Sequence, residues 1–363
     1  MWKYTEKKRQ RLETLCSSYG PTAYEVGVQK VVAERFRNMG IPCSGDAIGN
    51  LYASINDNAD FCIGIAAHCD EVGIQVTEII EKGLLRFRKI GGVRATSLIG
   101  HKVIILTEKG PVRGIVGSDP LQNNGTDNGI LVKTSDLWID IGADTKHDCA
   151  GIVEIGDYGV FEADFLELGE NRIASKSLDD RLGVFIMEEV MEILRNEHLN
   201  IGVVAISTVQ EEISYRGAAA SVKPMAAAIV LDVDFATDIP TEHTNMGALY
   251  LGGGIGINRN ADSNVVLQKI FLDMAYEKGI PVQKTVSRNI SGGTDATQLQ
   301  VKGNIATLNI NIPLRYMHSH KEVCDKRDIE YAVRSVVGLI KRINDNEQLR
   351  NFVPWQQIVV SGL

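Results

Sequence analysis

No apolar run in this chain of 363 residues approaches the roughly 18 to 20 needed to span a bilayer; the best candidates, Phe61 to Ala67 and Ile201 to Val209, have strand lengths. A membrane partner is therefore not expected. Cationic residues are the minority, with 38 Lys and Arg against 46 Asp and Glu for a formal charge of −8. That balance excludes a general nucleic-acid binder, because neutralising phosphates requires a cationic face. Cysteines number six and show no CxxC pairing, which excludes a disulfide-stapled miniprotein. The first 15 residues, MWKYTEKKRQRLETL, are charged and lack the apolar stretch of a secretory signal. A cytoplasmic location with free, mostly buried thiols is the resulting expectation.

What is present suggests two domains, at about 100 to 200 residues each. Leu12 and Leu15, then Val28, Val31, Val32 and Phe36, recur at three- and four-residue spacing, which predicts helices over Lys7 to Tyr19 and Tyr24 to Met39. The apolar run Phe61 to Ala67 is short enough for a buried strand. From Gly73 the chain changes character: short β-prone runs (Leu84 to Lys89, Lys102 to Thr107, Val112 to Val116, Leu137 to Ile141) alternate with turn signals such as Glu108-Lys-Gly-Pro111. They predict an inserted small β-barrel or sandwich over 73–163, dividing a catalytic domain into 1–72 and 164–363. Ser118 to Gly129 within it reads as a polar surface loop.

Beyond the insertion, helical and strand patterns alternate. Leu182, Phe185, Ile186, Val190, Ile193 and Leu194 form one helical face; Ile201 to Val209, Ala226 to Leu231 and Ala306 to Ile312 read as buried strands; Ala261 to Lys278 and Asp328 to Asn344 read as helices. The class is α/β, a layered helix/sheet/helix catalytic domain with an inserted small β-barrel-like domain.

Open α/β sheets bind ligands at the carboxyl ends of their strands. His68 and Asp70, Glu211 and Glu212, Asp232 and His318 follow the predicted strands, and Asp179 stands at the head of a helix. If the strand persists, His68 and Asp70 share a face, so the carboxylate can orient the imidazole. Each residue has a plain structural alternative: an ion-paired histidine at a strand end, an acidic N-cap for Asp179-Asp180, a solvated turn for Glu211-Glu212. Together they form a mixed nitrogen and oxygen set of the kind Zn²⁺, Co²⁺ or Mn²⁺ accepts, with one acid left over as a base.

Six strings, in order along the chain, resemble the TET-type metallo-aminopeptidases, a family that includes deblocking and glutamyl aminopeptidases and relatives with endoglucanase names. They are His68-Cys-Asp-Glu-Val-Gly73, Lys176-Ser-Leu-Asp-Asp-Arg181, Gln210-Glu-Glu212 with Arg216-Gly-Ala218, Leu231-Asp-Val233 with Ala236-Thr-Asp238, Ser291-Gly-Gly-Thr-Asp-Ala296, and Ile312-Pro-Leu-Arg-Tyr-Met-His-Ser319. The resemblance implies two divalent ions per subunit, Zn²⁺ or Co²⁺ before Mn²⁺, bridged by Asp179; His68 and Asp232 would complete one site, Glu212 and His318 the other. It implies Glu211 as the base that activates water, Asp70 as the partner of His68, short peptides as substrates, and a homo-oligomer, commonly a tetrahedral dodecamer built through the β domain. The spacing from Glu212 to Asp232 is slightly short, which leaves Asp234 as a rival ligand. Other chemistries compatible with the residues are a glycoside hydrolase using Glu211 with Asp179 and a metal-dependent amidohydrolase of acylated amino acids.

Ser291 to Thr297 is either a flexible turn or an anion cradle. Gly252-Gly-Gly254 lacks the strand, turn and helix context of a dinucleotide site, so nucleotide binding is not expected.

Overall fold

The computed structural model describes residues 2–119, 132–162, 164–221, 223–240, 247–286 and 290–356. Two helices open the chain, α1 (Glu6–Ser17) and α2 (Val26–Asn38), and bury Leu12, Leu15, Val28, Val32 and Phe36. These are residues whose helical spacing stands out in the sequence. Strands β1 (Cys43–Gly45), β2 (Leu51–Ile55) and β3 (Cys62–His68) follow.

Six antiparallel strands come next: β4 (Gly73–Ile79), β5 (Leu84–Ile90), β6 (Lys102–Thr107), β7 (Gly110–Ser118), β8 (Leu137–Asp140) and β9 (Tyr158–Phe161), with a short helix α3 (Lys146–Ala150) before the last. They close into a barrel in the order β4-β5-β8-β7-β6-β9, which leaves no unpaired edge. Alternate residues, among them Ile74, Val76, Leu85, Phe87, Val103 and Ile105, fill its interior. Of the polar stretch 118–129, residues 120–129 lie outside the described residues.

The remaining elements are β10 (Leu166–Leu168), β11 (Arg172–Ser175), α4 (Leu178–Leu194), β12 (Gly202–Thr208), α5 (Arg216–Ala220), β13 (Ala227–Phe235), β14 (Ile255–Asn258), α6 (Val265–Glu277), β15 (Val282–Thr285), α7 (Asp295–Gly303), β16 (Ala306–Leu314), β17 (Glu322–Asp325) and α8 (Lys326–Asn344). Eight strands form the main sheet in the order β1-β2-β12-β3-β13-β16-β14-β15. Its central four, β12, β3, β13 and β16, are parallel, so their carboxyl ends share one edge. One face packs residues such as Ile65, Ala205 and Ile229 against the buried sides of α1, α2, α4, α6 and α8. The other packs Ala66, Ile206 and Val230 against Ala218 of α5 and Ala296 and Leu299 of α7. The fold is thus the layered α/β arrangement with an inserted barrel that the sequence predicts. All six cysteines are free thiols, and among the described residues no helix is long and apolar enough to cross a membrane.

Some boundaries differ from expectation. His68 is the last residue of β3 rather than the first beyond it, and β13 runs through Asp232 and Asp234 to Phe235. The helix expected from Ala261 starts at Val265, where the Asn264 side chain accepts the N–H groups of Val266 and Leu267. Helix α4 is buried nearly all round, not along one face, because it lies between the sheet and both α1 and α8. Strands of three or four residues, such as β10, β11 and β17, are too short to show period-two alternation.

Candidate metal centre

Thr208 pairs with His68 across β12 and β3. Val230 pairs with Ala66, so Asp232, two residues on, lies on the same face as His68, two residues on in β3. Glu211 and Glu212 form a single 3₁₀ turn after β12, entered through Gln210 with a left-handed backbone (φ 57°). His318, also left-handed (φ 60°), sits in the turn between β16 and β17. Non-glycine residues in this conformation are strained and persist where surrounding contacts impose it.

Asp179 lies at the centre. Its Oδ1 is 3.1 Å from His68 Nε2 and its Oδ2 is 3.2 Å from His318 Nε2, so each carboxylate oxygen faces a different imidazole. Glu212 Oε2 is 3.3 Å from the same His318 nitrogen, and Glu211 Oε2 is 3.9 Å from His68 Nε2. Two groupings bring their ligand atoms within 4.8 Å of one another: His68, Asp179 and Glu212, and His68, Asp180 and Asp232. Asp234, the rival to Asp232, instead takes a 3.3 Å hydrogen bond from the Asn258 amide. His68, Asp179, Glu211 and Asp232 are buried, whereas the His318 side chain is 28% exposed and opens the cluster to solvent.

Asp70 organises the group from behind. Its Oδ1 accepts the Glu211 N–H at 3.1 Å and its Oδ2 accepts the Glu212 N–H at 3.3 Å and the Thr22 hydroxyl at 2.8 Å. His68 Nδ1 is 3.2 Å from the Asp70 carbonyl and 3.4 Å from its Oδ1, the orienting contact that a ligating imidazole commonly has. Cys69 points to the opposite, apolar face.

Burial and mutual repulsion set the electrostatics. Burial, then the Asp179 charge, pushes Glu212 up to about 8. Asp232 rises to about 8, mainly by burial, and Glu211 is raised well above its ordinary value by burial, with Asp232, Asp295 and Glu212 adding to it. Burial would raise Asp179 too, but hydrogen bonds with His318 and His68 hold it well below the usual carboxylate range. Burial lowers His318, yet Asp179 and Glu212 carry it up to about 9. The acids outnumber the cations here, so some must hold protons unless a cation replaces them.

The donors fit divalent cations. Glu212 Oε1 and Asp180 Oδ2 are buried acceptors without a hydrogen-bond donor among the described residues, a costly arrangement that coordination would relieve. Imidazole nitrogen with carboxylate oxygen is a set suited to Zn²⁺, Co²⁺ or Mn²⁺.

Other residues escape a reading of the sequence. Asp179 and Asp180 have non-helical backbone angles, and Asp180 Oδ1 accepts the Gly183 N–H at 3.0 Å. The capping expected of the pair is therefore done by Asp180 alone, which frees Asp179 for the histidines. Asp295 is buried with its Oδ2 bonded by the Thr208 hydroxyl, and burial raises it to about 6. Glu322 accepts two backbone N–H groups of the cluster. Gly91 and Gly92, in the barrel loop after β5, leave no room for a side chain: an added Cβ would lie 3.2 Å from Glu212 Oε2 at Gly91 and 2.3 Å from His318 Nδ1 at Gly92. No local pattern marks these roles. The Ser291 to Thr297 run is not an open anion cradle, since Ser291 Oγ, Gly292 N–H and Thr297 Oγ1 all bond the carboxylate of Asp262. Gly252 and Gly254 likewise donate to Asp328.

A family model described as M42 glutamyl aminopeptidase matches residues 49–334. A lysyl aminopeptidase of Pyrococcus furiosus is 31% identical over 341 residues, covering 92% of this chain and 96% of that protein. Among solved structures, a TET aminopeptidase from a marine sediment archaeon of the Thaumarchaeota superposes with a TM-score of 0.89 at 29% identity, covering 96% of this chain and 99% of the other. The TET1 peptidase of Pyrococcus horikoshii, which can assemble into a tetrahedron or a large octahedral shell, gives 0.83 at 29% identity over 92% and 99% of the two chains.

Proposed function

The chain belongs to the M42 glutamyl aminopeptidase family and is a hydrolase of peptide bonds, and from that premise we propose that it is a two-metal aminopeptidase releasing N-terminal residues from short peptides. The observation that carries the proposal is the Asp179 carboxylate, whose two oxygens each meet a different histidine, 3.1 Å and 3.2 Å away. Asp179 would accordingly serve both ions, with His68 and Asp232 completing one site and Glu212 and His318 the other. Asp180, grouped with His68 and Asp232, stands beside the first site with a buried free oxygen.

Divalent ions bound there would polarise the scissile carbonyl and acidify a water molecule. The chain supplies the proton chemistry. Glu211, buried beside His68 and held by the N–H contact to Asp70, takes the proton from water and returns it to the departing amine. Asp70 fixes Glu211, Glu212 and His68 together, so the base and two ligands move as a unit. The His318 side chain, 28% exposed, gives a peptide end access from that side.

We propose further that residues 73–163 form the inserted unit, used in self-association into a homo-oligomer, by analogy with the assembling Pyrococcus horikoshii relative. The test of function is a substrate panel: unblocked short peptides, their N-acetylated forms, peptides scored for internal cleavage, and a soluble glucan, each with and without a chelator. Chelator-sensitive release of the first residue from unblocked peptides alone is expected. Preference for acetylated substrates, or glucan cleavage that survives chelation, would overturn it.

A further inference from the structure

Glu322 begins β17 and is buried, 1% exposed. Its Oε2 accepts the backbone N–H of Asp179 at 3.0 Å, and its Oε1 accepts the backbone N–H of His318 at 2.8 Å. The side chains of these two residues meet again at 3.2 Å, His318 Nε2 to Asp179 Oδ2. One carboxylate thus joins the main chains of two residues whose functional atoms converge.

The surrounding strands explain how it reaches both. In β17 Glu322 pairs with Ser175 of β11, four residues before Asp179. Val323 exchanges backbone hydrogen bonds with Arg315, three residues before His318. Strand β17 therefore lies between the two segments that deliver Asp179 and His318. Among the described residues no Lys or Arg pairs with Glu322, and burying a carboxylate without such a partner is costly. Two N–H donors, one on each oxygen, offset only in part the burial and the Asp179 charge that raise Glu322 well above its ordinary value; a glutamine would turn an NH₂ toward one of them.

We infer that Glu322 is a positioning residue for the ion held by Asp179, Glu212 and His318: it fixes the Asp179 and His318 backbones at the separation that ion requires. This rests on the ligand assignment proposed above. Groups that orient ligands in this way typically account for roughly 10- to 100-fold in metal affinity.

The experiment uses the full-length protein stripped of metal, titrated with Co²⁺ by calorimetry and visible absorption, for the native chain and E322Q. The native chain should take up two ions. E322Q should bind the ion shared with His318 roughly 10- to 100-fold more weakly and the other, which shares only Asp179, by clearly less, with the melting temperature of the stripped protein little changed and kcat falling more than KM changes. Native affinity for both ions in E322Q would overturn the inference. Equal weakening of both ions alongside a lower melting temperature of the stripped protein would also overturn it, since that describes a residue of the fold. E322D keeps the carboxyl group but is one methylene too short to hold both N–H groups; if E322Q does not fold, E322D should show the same selective loss, and native binding by E322D would overturn the inference. A native chain that binds no Co²⁺ would instead defeat the ligand assignment itself.

Discussion

At Gly92 the inserted barrel comes close to the candidate centre, and Gly92→Ala is an exacting perturbation of it. An alanine Cβ there would lie 2.3 Å from His318 Nδ1 and 2.8 Å from Cε1, while carbon atoms rest at about 3.5 to 4.0 Å. The ring or the loop must yield by about 1 Å. The His318 ring has room to yield, because its side chain is 28% exposed whereas Gly92 follows the paired strand β5. A displacement of that size would remove His318 Nε2 from its 3.2 Å and 3.3 Å positions at Asp179 and Glu212. Misplacement of a catalytic group by 1 Å can cost on the order of a hundredfold in rate, about 2.7 kcal/mol. Expected, then, are a kcat/KM on an unblocked aminoacyl substrate roughly a hundredfold lower and weaker binding of one ion, with native circular dichroism. Gly151→Ala is the control in the same barrel, since its nearest neighbour would be Asp148 O at an ordinary 3.4 Å. Activity and ion binding in Gly92→Ala equal to those of the control would refute the contact as a determinant of the centre.

Glu211→Gln should retain its ions by elemental analysis and lose nearly all turnover; full activity would refute Glu211 as the base. Asp179→Asn should lose metal outright, and two ions per chain in that variant would refute the bridge. For the stripped protein, Glu212 and Asp232 titrate at about 8 and His318 at about 9, all above their unfolded values of about 4 and 6.5. The folded chain therefore holds more protons than the unfolded one between roughly pH 4 and 9, and stability falls as pH rises through that window. Its melting temperature should be lower at pH 8.5 than at pH 5.5, with added cation reducing the difference; a rise with pH would contradict the electrostatics described.

Much of the centre can be read from the sequence because buried parallel strands are apolar runs, and the polar residues at or just past their carboxyl ends stand out. His68, Asp70, Glu211, Glu212 and Asp232 all do so, although β3 ends at His68, so period-two geometry does not extend to Asp70. The division of labour within Asp179-Asp180 is not legible, since either acid could cap α4 until the backbone shows that Asp180 does. Glu322 follows the polar stretch Ser319-His-Lys321, and the strand it pairs with, β11, lies well over a hundred residues earlier. Gly91-Gly92 reads as turn punctuation, and its contact with Glu212 and His318 exists only because the barrel lies against the sheet edge. Donors in the Ser291 to Thr297 run look available in the sequence, yet Asp262, roughly thirty residues earlier, already takes them.

On the proposed reading, two cations held around Asp179 make the chain an aminopeptidase. Titrating the stripped protein with Zn²⁺ or Co²⁺ tests it most directly, with bound ions per chain and release of an N-terminal residue followed together. No release is expected without metal, and full release as occupancy approaches two ions per chain. Full release from metal-free protein, or saturation of activity at one ion, would contradict it.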